Sequence, residues 1–251
     1  MTELAIATTT VKLLQTDVTI DAYLAQPADP GIYPGIVVLQ EIFGVNGHIR
    51  EVTERIARQG YVAIAPALYQ RLAPGFATGY TPADIEIGRE YKMQTQASTL
   101  LSDIQVAIDY LKTLPQVSSH GFGCIGFCFG GHVAYLAATL PDIKATASFY
   151  GAGIATNTPG GDAPTLTRTS AIQGTLYGFF GVEDASIPPE EVGQIAAELE
   201  KYKISHRLFR YDGADHGFFC DHRASYNPVA AADAWEQVKQ LFAQLQPPVE
   251  G

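Results

Sequence analysis

Apolar residues fall in two rhythms along this chain, short unbroken runs and longer stretches that recur every three to four positions, which predicts strands alternating with helices. The start of the chain departs from that alternation. Residues 8–14 and 18–25 both have strand composition and are separated by the polar Gln15-Thr16-Asp17, so a hairpin is expected there. Gly35-Ile36-Val37-Val38-Leu39 is a continuous apolar run, as expected of a strand buried on both faces. Asn46 stands where it can cap a following helix, whose inward positions are Ile49, Val52 and Ile56 and which stops at Gly60. A second buried strand over 61–65 leads into an irregular segment over 66–82. A long helix then follows, marked by Leu100, Leu101, Ile104, Ile108 and Leu111 and ending at Pro115.

The second half continues the alternation. Strands are predicted over 121–127, 145–149, 175–180 and 206–211. Between and after them come helices carrying Val133, Leu136, Ala137 and Leu140, then Val192, Ile195, Ala196 and Leu199, then Ala231, Trp235, Val238, Phe242 and Leu245. Residues 151–169 are too rich in Gly, Thr and Pro for a core element and are expected to lie over a surface or a cleft. Strands alternating with helices imply a mostly parallel sheet covered on both faces, with the N-terminal hairpin at its edge. No repeat or linker interrupts the pattern, so one domain is expected over residues 1–251.

One junction is more specific than the rest. The strand ending at Phe127 passes through Gly126-Phe127-Cys128-Phe129-Gly130-Gly131 directly into a helix, the strand–turn–helix pattern of a nucleophile elbow with sulfur in place of serine oxygen. Gly126 and Gly130 lack side chains where a sharp reversal brings backbone close, and Cys128 is pushed outward over the end of the sheet. At a helix N-terminus, unpaired N–H groups favour a thiolate and can bind an oxyanion. Loops at the carboxyl ends of a parallel sheet converge on one crevice. Three of them supply Cys128, Asp184 and His216, in the chain order nucleophile, acid, histidine expected of an α/β-hydrolase. The neighbouring Glu183 and Asp215 are expected to be solvated.

Composition narrows the partners. The net charge of −10 argues against nucleic acid and against an anionic membrane surface. Residues 1–4 have no basic or long apolar character, so neither a signal peptide nor a membrane span is expected. Three scattered cysteines suggest neither a disulfide framework nor zinc, and a cytoplasmic location is the simplest setting. His48, His120, His206 and His222 have no paired ligands at metal spacing along the chain, and His132 is expected to be structural, so no metal and no cofactor are expected.

Taken together, Gln40-Glu41-Ile42-Phe43-Gly44-Val45-Asn46, Ala67-Leu68-Tyr69 through Ala73-Pro74-Gly75, the cysteine elbow, Phe149-Tyr150-Gly151, Gly181-Val182-Glu183-Asp184 and Ala214-Asp215-His216-Gly217-Phe218 resemble the dienelactone hydrolase (carboxymethylenebutenolidase) family. The resemblance spans nearly the whole chain. It implies hydrolysis of an enol-lactone, dienelactone to maleylacetate, through a thioester on Cys128. It further implies that Glu41 holds the resting thiol, and that the N–H groups of Ile42 and Phe129 form an oxyanion hole. It points to a cationic contact for an anionic substrate at Arg89, with Tyr91 beside it. The family's second arginine falls on Cys220 here, and the nearest arginine is Arg223. Alternatives on the same residues are a broader carboxylesterase and an inactive binding protein. A class I glutaminase would carry a glutamate where this chain has Phe218. The expected partner is a small lactone or ester, with the protein a monomer or small homo-oligomer.

Overall fold

The computed structural model describes residues 3–246. Its centre is one eight-stranded sheet in the order β1-β2-β4-β3-β5-β6-β7-β8. The strands are β1 (Ile6–Leu14), β2 (Thr19–Pro27), β3 (Tyr33–Leu39), β4 (Val62–Pro66), β5 (Val117–Phe127), β6 (Ile143–Phe149), β7 (Thr175–Gly181) and β8 (His206–Tyr211). Pairing is antiparallel for β1–β2 and β2–β4 and parallel from β4 to β8. The expected hairpin is therefore the sheet's first edge, closed by Gln15 N–H donating to the Val18 carbonyl at 3.0 Å.

The helices are α1 (Gly47–Arg58), α2 (Pro82–Gln94), α3 (Ala97–Thr113), α4 (Phe129–Ala137), α5 (Pro189–Lys201) and α6 (Pro228–Ala243). Successive side chains of β3 point to opposite faces. Ile36 and Val38 pack in one core with Ile49, Val52 and Ile56 of α1 and Val238, Leu241 and Phe242 of α6. Val37 and Leu39 pack in the other with Leu100, Ile104 and Ile108 of α3 and Val133, Ala134 and Ala137 of α4. A strand covered on both sides is why its sequence reads as an unbroken apolar run. Among the described residues no helix is long and apolar enough to cross a membrane.

Two expectations need correction. The long helix before Pro115 is two helices, divided at Thr95, whose backbone is extended and whose Oγ1 donates to the Lys92 carbonyl at 2.7 Å. α2 is set by its ends rather than by an apolar face. Thr81 and Asp84 form a reciprocal capping box, Pro82 opens the helix, and Gly88 is its one buried residue. The Gly/Thr/Pro-rich segment after β6 is also more deeply packed than its composition suggests. It buries Ile154, Thr158, Thr165 and Thr169 and forms a 3-10 turn over Thr165–Ala171. Its hydroxyls find partners inside: Thr165 bonds His132 Nε2 at 2.7 Å, and Thr169 bonds Tyr135 at 2.7 Å. Paired hydroxyls are buried without the desolvation cost that unpaired ones carry.

Candidate active site

β5 ends and α4 begins with a single residue between them, Cys128, at φ 56° and ψ −117°. Positive φ is a strained conformation for a residue with a side chain, and it persists because both neighbours are fixed. The Cys128 N–H donates to the Phe149 carbonyl of β6 at 3.1 Å. A Cβ on Gly126 would lie 1.9 Å from the Gly130 carbonyl oxygen, and one on Gly130 would lie 2.4 Å from that of Leu39, so both positions are closed to any other residue. The elbow leaves Cys128 partly exposed, while Cys124, two pairs of residues back on β5, is fully buried.

Asp184 follows β7 and His216 follows β8. His216 Nδ1 lies 2.7 Å from Asp184 Oδ2, and the other Asp184 oxygen accepts the Ser186 N–H at 2.8 Å. The carboxylate is thereby fixed on both oxygens, and it is buried, whereas Glu183 and Asp215 are exposed as expected. Burial opposes a charge on His216, yet the neighbouring Cys128 sulfur and the hydrogen bond to Asp184 push its pKa up to about 10. The three side chains thus meet on one rim, with an imidazole between a sulfur and a carboxylate. Such an arrangement can move a proton between sulfur and substrate while the aspartate fixes the ring's tautomer.

The loop after β3 forms the facing wall. Gln40 accepts the Leu68 N–H at 3.1 Å, which ties this loop to the one after β4. Glu41 is fully buried, and its Oε1 accepts from Arg223 Nη1 at 3.0 Å. Burial holds the Glu41 carboxyl above its usual range, opposed by the charges of Arg223 and His216. Arg223 reaches this carboxylate although it stands seven residues after His216 rather than four. Its guanidinium also lies over the rings of Phe43 (5.9 Å) and Tyr80 (5.8 Å). Among the described residues the Ile42 N–H has no hydrogen-bond acceptor, and the Phe129 N–H is a first-turn donor that α4 leaves without an intrahelical acceptor.

Arg89 and Tyr91 sit on α2, whose Gly88 packs so closely on the Ile42 carbonyl that a Cβ there would lie 2.5 Å from its oxygen. Arg89 is exposed in an open depression on α2 with Ile85, Glu86 and Met93. Tyr91 turns inward against Phe76 and Tyr69, and Tyr69 stacks on Phe129 beside the elbow at 5.7 Å. Arg71 is engaged far from the triad, with Asp103 at 3.0 Å and Asp17 at 2.5 Å. His132 is buried between Ala152 and Thr165, a structural position as expected. One neighbour went unassigned in the sequence: Tyr150, with φ 36°, packs edge-on to His216 at 5.2 Å and keeps a fully buried hydroxyl without a partner. Its place in Phe149-Tyr150-Gly151, directly after a strand of the parallel sheet, was the available signal.

A parallel sheet carrying a strained strand–turn–helix elbow after β5 and an Asp–His pair on the loops after β7 and β8 defines an α/β-hydrolase fold. The model of the dienelactone hydrolase family matches residues 20–246. A candidate carboxymethylenebutenolidase of Synechocystis sp. is 59% identical over 237 residues, covering 94% of this chain and 96% of that one. One from Yersinia pestis is 33% identical over 230 residues, 89% of this chain and 83% of that one. A candidate dienelactone hydrolase from Klebsiella pneumoniae subsp. pneumoniae, known from a crystal structure, superposes with a TM-score of 0.87 at 29% identity, over 96% of this chain and 99% of that one. The chain belongs to the dienelactone hydrolase family, and it is a hydrolase.

Proposed function

We propose that the protein opens enol-lactones of the dienelactone type, or related carboxylic esters, through a thioester on Cys128. The Cys128 sulfur attacks the carbonyl carbon. The oxygen takes the negative charge between the N–H groups of Ile42 and Phe129, two donors without acceptors among the described residues. Collapse of the tetrahedral species expels an enolate, which is a far better leaving group than an amide nitrogen. His216 supplies the leaving group's proton, then takes one from the water that hydrolyses the thioester and returns the thiol. Asp184 holds the imidazole and stabilises its charged form. Glu41, beside the triad, is a place for the thiol proton to reside before substrate arrives, and Arg223 offers positive charge to an anionic substrate. A small anionic lactone or ester is the partner this chemistry fits. A cytoplasmic setting belongs to the same reading, supported by three cysteines that are all free.

The observation that carries the proposal is the His216 imidazole held between Asp184, at 2.7 Å, and the Cys128 sulfur. A broader carboxylesterase is the second reading, favoured by Cys220 standing where the family's second arginine falls. Turnover of dienelactones against simple p-nitrophenyl esters separates the two. On either reading Cys128→Ala lowers kcat by about 1000-fold or more, and unchanged turnover removes the cysteine from the mechanism.

A further inference from the structure

Three side chains far apart in the sequence meet behind the Glu41 wall. Glu41 comes from the loop after β3, His48 from the first turn of α1, and Cys220 from the turn after His216; their potential ligand atoms all lie within 4.8 Å of one another. All three residues are buried. Glu41 Oε2 and His48 Nε2 have no hydrogen-bond partner, because Arg223 occupies only Oε1. Leaving a buried polar atom unpaired carries its full desolvation cost, so two in one small cluster mark a place shaped for an occupant. The third member, Cys220, donates a weak hydrogen bond to the Tyr80 hydroxyl at 3.3 Å.

We propose that Glu41, His48 and Cys220 form a binding site for a thiophilic divalent cation of the Zn2+ class. One sulfur, one imidazole nitrogen and one carboxylate oxygen are a donor set that suits zinc, with water in the fourth tetrahedral position. Cys220 binds as the thiolate, its proton passing to solvent, and with the Glu41 carboxylate it cancels the charge of the cation; the charge of Arg223, which keeps Oε1, is left to the nearby Asp221 and solvent. Burial holds the His48 pKa down to about 4, so at neutral pH its ring is uncharged and offers a lone pair. Burial pushes the Cys220 thiol up to about 12, so metal must compete with a proton there and binding strengthens as pH rises.

Access can come past His48, the member of the cluster that lines a surface cleft. A cleft of about 180 Å³ is lined by His48, Arg55, Phe219 and Tyr226 together with Glu51 and Asp221. At its mouth the exposed Glu51, Asp221 and His222 also hold their ligand atoms within 4.8 Å of one another. Asp221 Oδ1 is 3.9 Å from His48 Nδ1, which links the outer group to the inner one. The outer carboxylates can attract a hydrated cation and offset the charge of Arg55, and the inner set can then strip its water. Spacing along the chain cannot reveal such a site, since its ligands come from a loop, a helix start and a turn far apart in the sequence.

Titrating chelator-treated protein with Co2+ tests the site without reference to turnover. The expected result is one saturating equivalent with a thiolate-to-cobalt charge-transfer band, displaced by Zn2+. Cys128→Ala keeps the band, Cys220→Ser and Cys220→Ala lose it, and His48→Gln weakens binding by at least ~10-fold, the lower end of what even outer-shell changes cost. Thermal melts establish that each variant is folded. The proposal is overturned if folded wild-type protein shows no saturable band, which would leave water as the occupant. It is equally overturned if the band survives Cys220→Ser and disappears in Cys128→Ala. Zn2+ bound at Glu41 should also slow ester turnover in wild-type protein and not in Cys220→Ser. That consequence alone rests on the proposed role of Glu41, so its failure with binding intact counts against that role and leaves the site standing.

Discussion

At the scale of single residues, the chemistry depends on one imidazole set between a carboxylate and a sulfur. Ordinary histidine titrates near 6.5, and isolated burial would lower that value. Here Cys128 and Asp184 reverse the direction, so His216 keeps its proton through neutral pH and loses it only as pH rises through about 10. NMR titration of the ring nitrogens checks this. The wild-type midpoint is expected well above neutrality, and in Cys128→Ala it should fall, since the sulfur that helps to raise it is gone. A wild-type midpoint near 6.5 would contradict the ion-paired description. The types and order of these residues were legible in the sequence, because each follows a recognisable strand. The partner of Arg223 was not. An arginine three residues out of register along the chain reaches Glu41 only because the turn after His216 folds back across the sheet end, with Asn227 N–H donating to the Phe218 carbonyl at 2.9 Å.

At the scale of elements, the strand-to-helix junction around Cys128 is the most tightly constrained piece. Gly126→Ala would place a methyl group 1.9 Å from the Gly130 carbonyl, a clash with backbone that no rotamer relieves. Gly193, exposed on α5, has nothing within 4 Å of the equivalent position. Urea denaturation should therefore show Gly126→Ala destabilised by more than ~2 kcal/mol and Gly193→Ala neutral or stabilised by up to ~1 kcal/mol. Similar values for the two would mean the elbow is not sterically closed. The elements most readable in the sequence were those with an apolar rhythm, such as α1 and β3. α2 was missed because it turns only Gly88 fully inward, so periodicity had nothing to register and only the Thr81–Asp84 cap marked its start. The segment after β6 was misjudged for the opposite reason, since its threonines are buried by pairing with His132 and Tyr135 rather than by being apolar.

At the scale of the whole molecule, the parallel part of the sheet brings together loops that are up to 175 residues apart, from Glu41 to His216. Adjacent strands β5, β6, β7 and β8 deliver Cys128, Tyr150, Asp184 and His216 to one end, which is where open α/β sheets bind their ligands. Alternation of strands and helices was enough to predict that convergence, whereas the buried meeting of Glu41, His48 and Cys220 depended on loop paths that no periodicity encodes. The central claim is that substrate becomes joined to Cys128 during turnover. Rapid acid quench of the enzyme with a slowly hydrolysed activated ester, followed by intact-protein and peptide mass spectrometry, tests it directly. An acyl adduct on the peptide containing Cys128, absent from Cys128→Ala, is the predicted result; an adduct on another residue, or full turnover by the alanine variant, would contradict it.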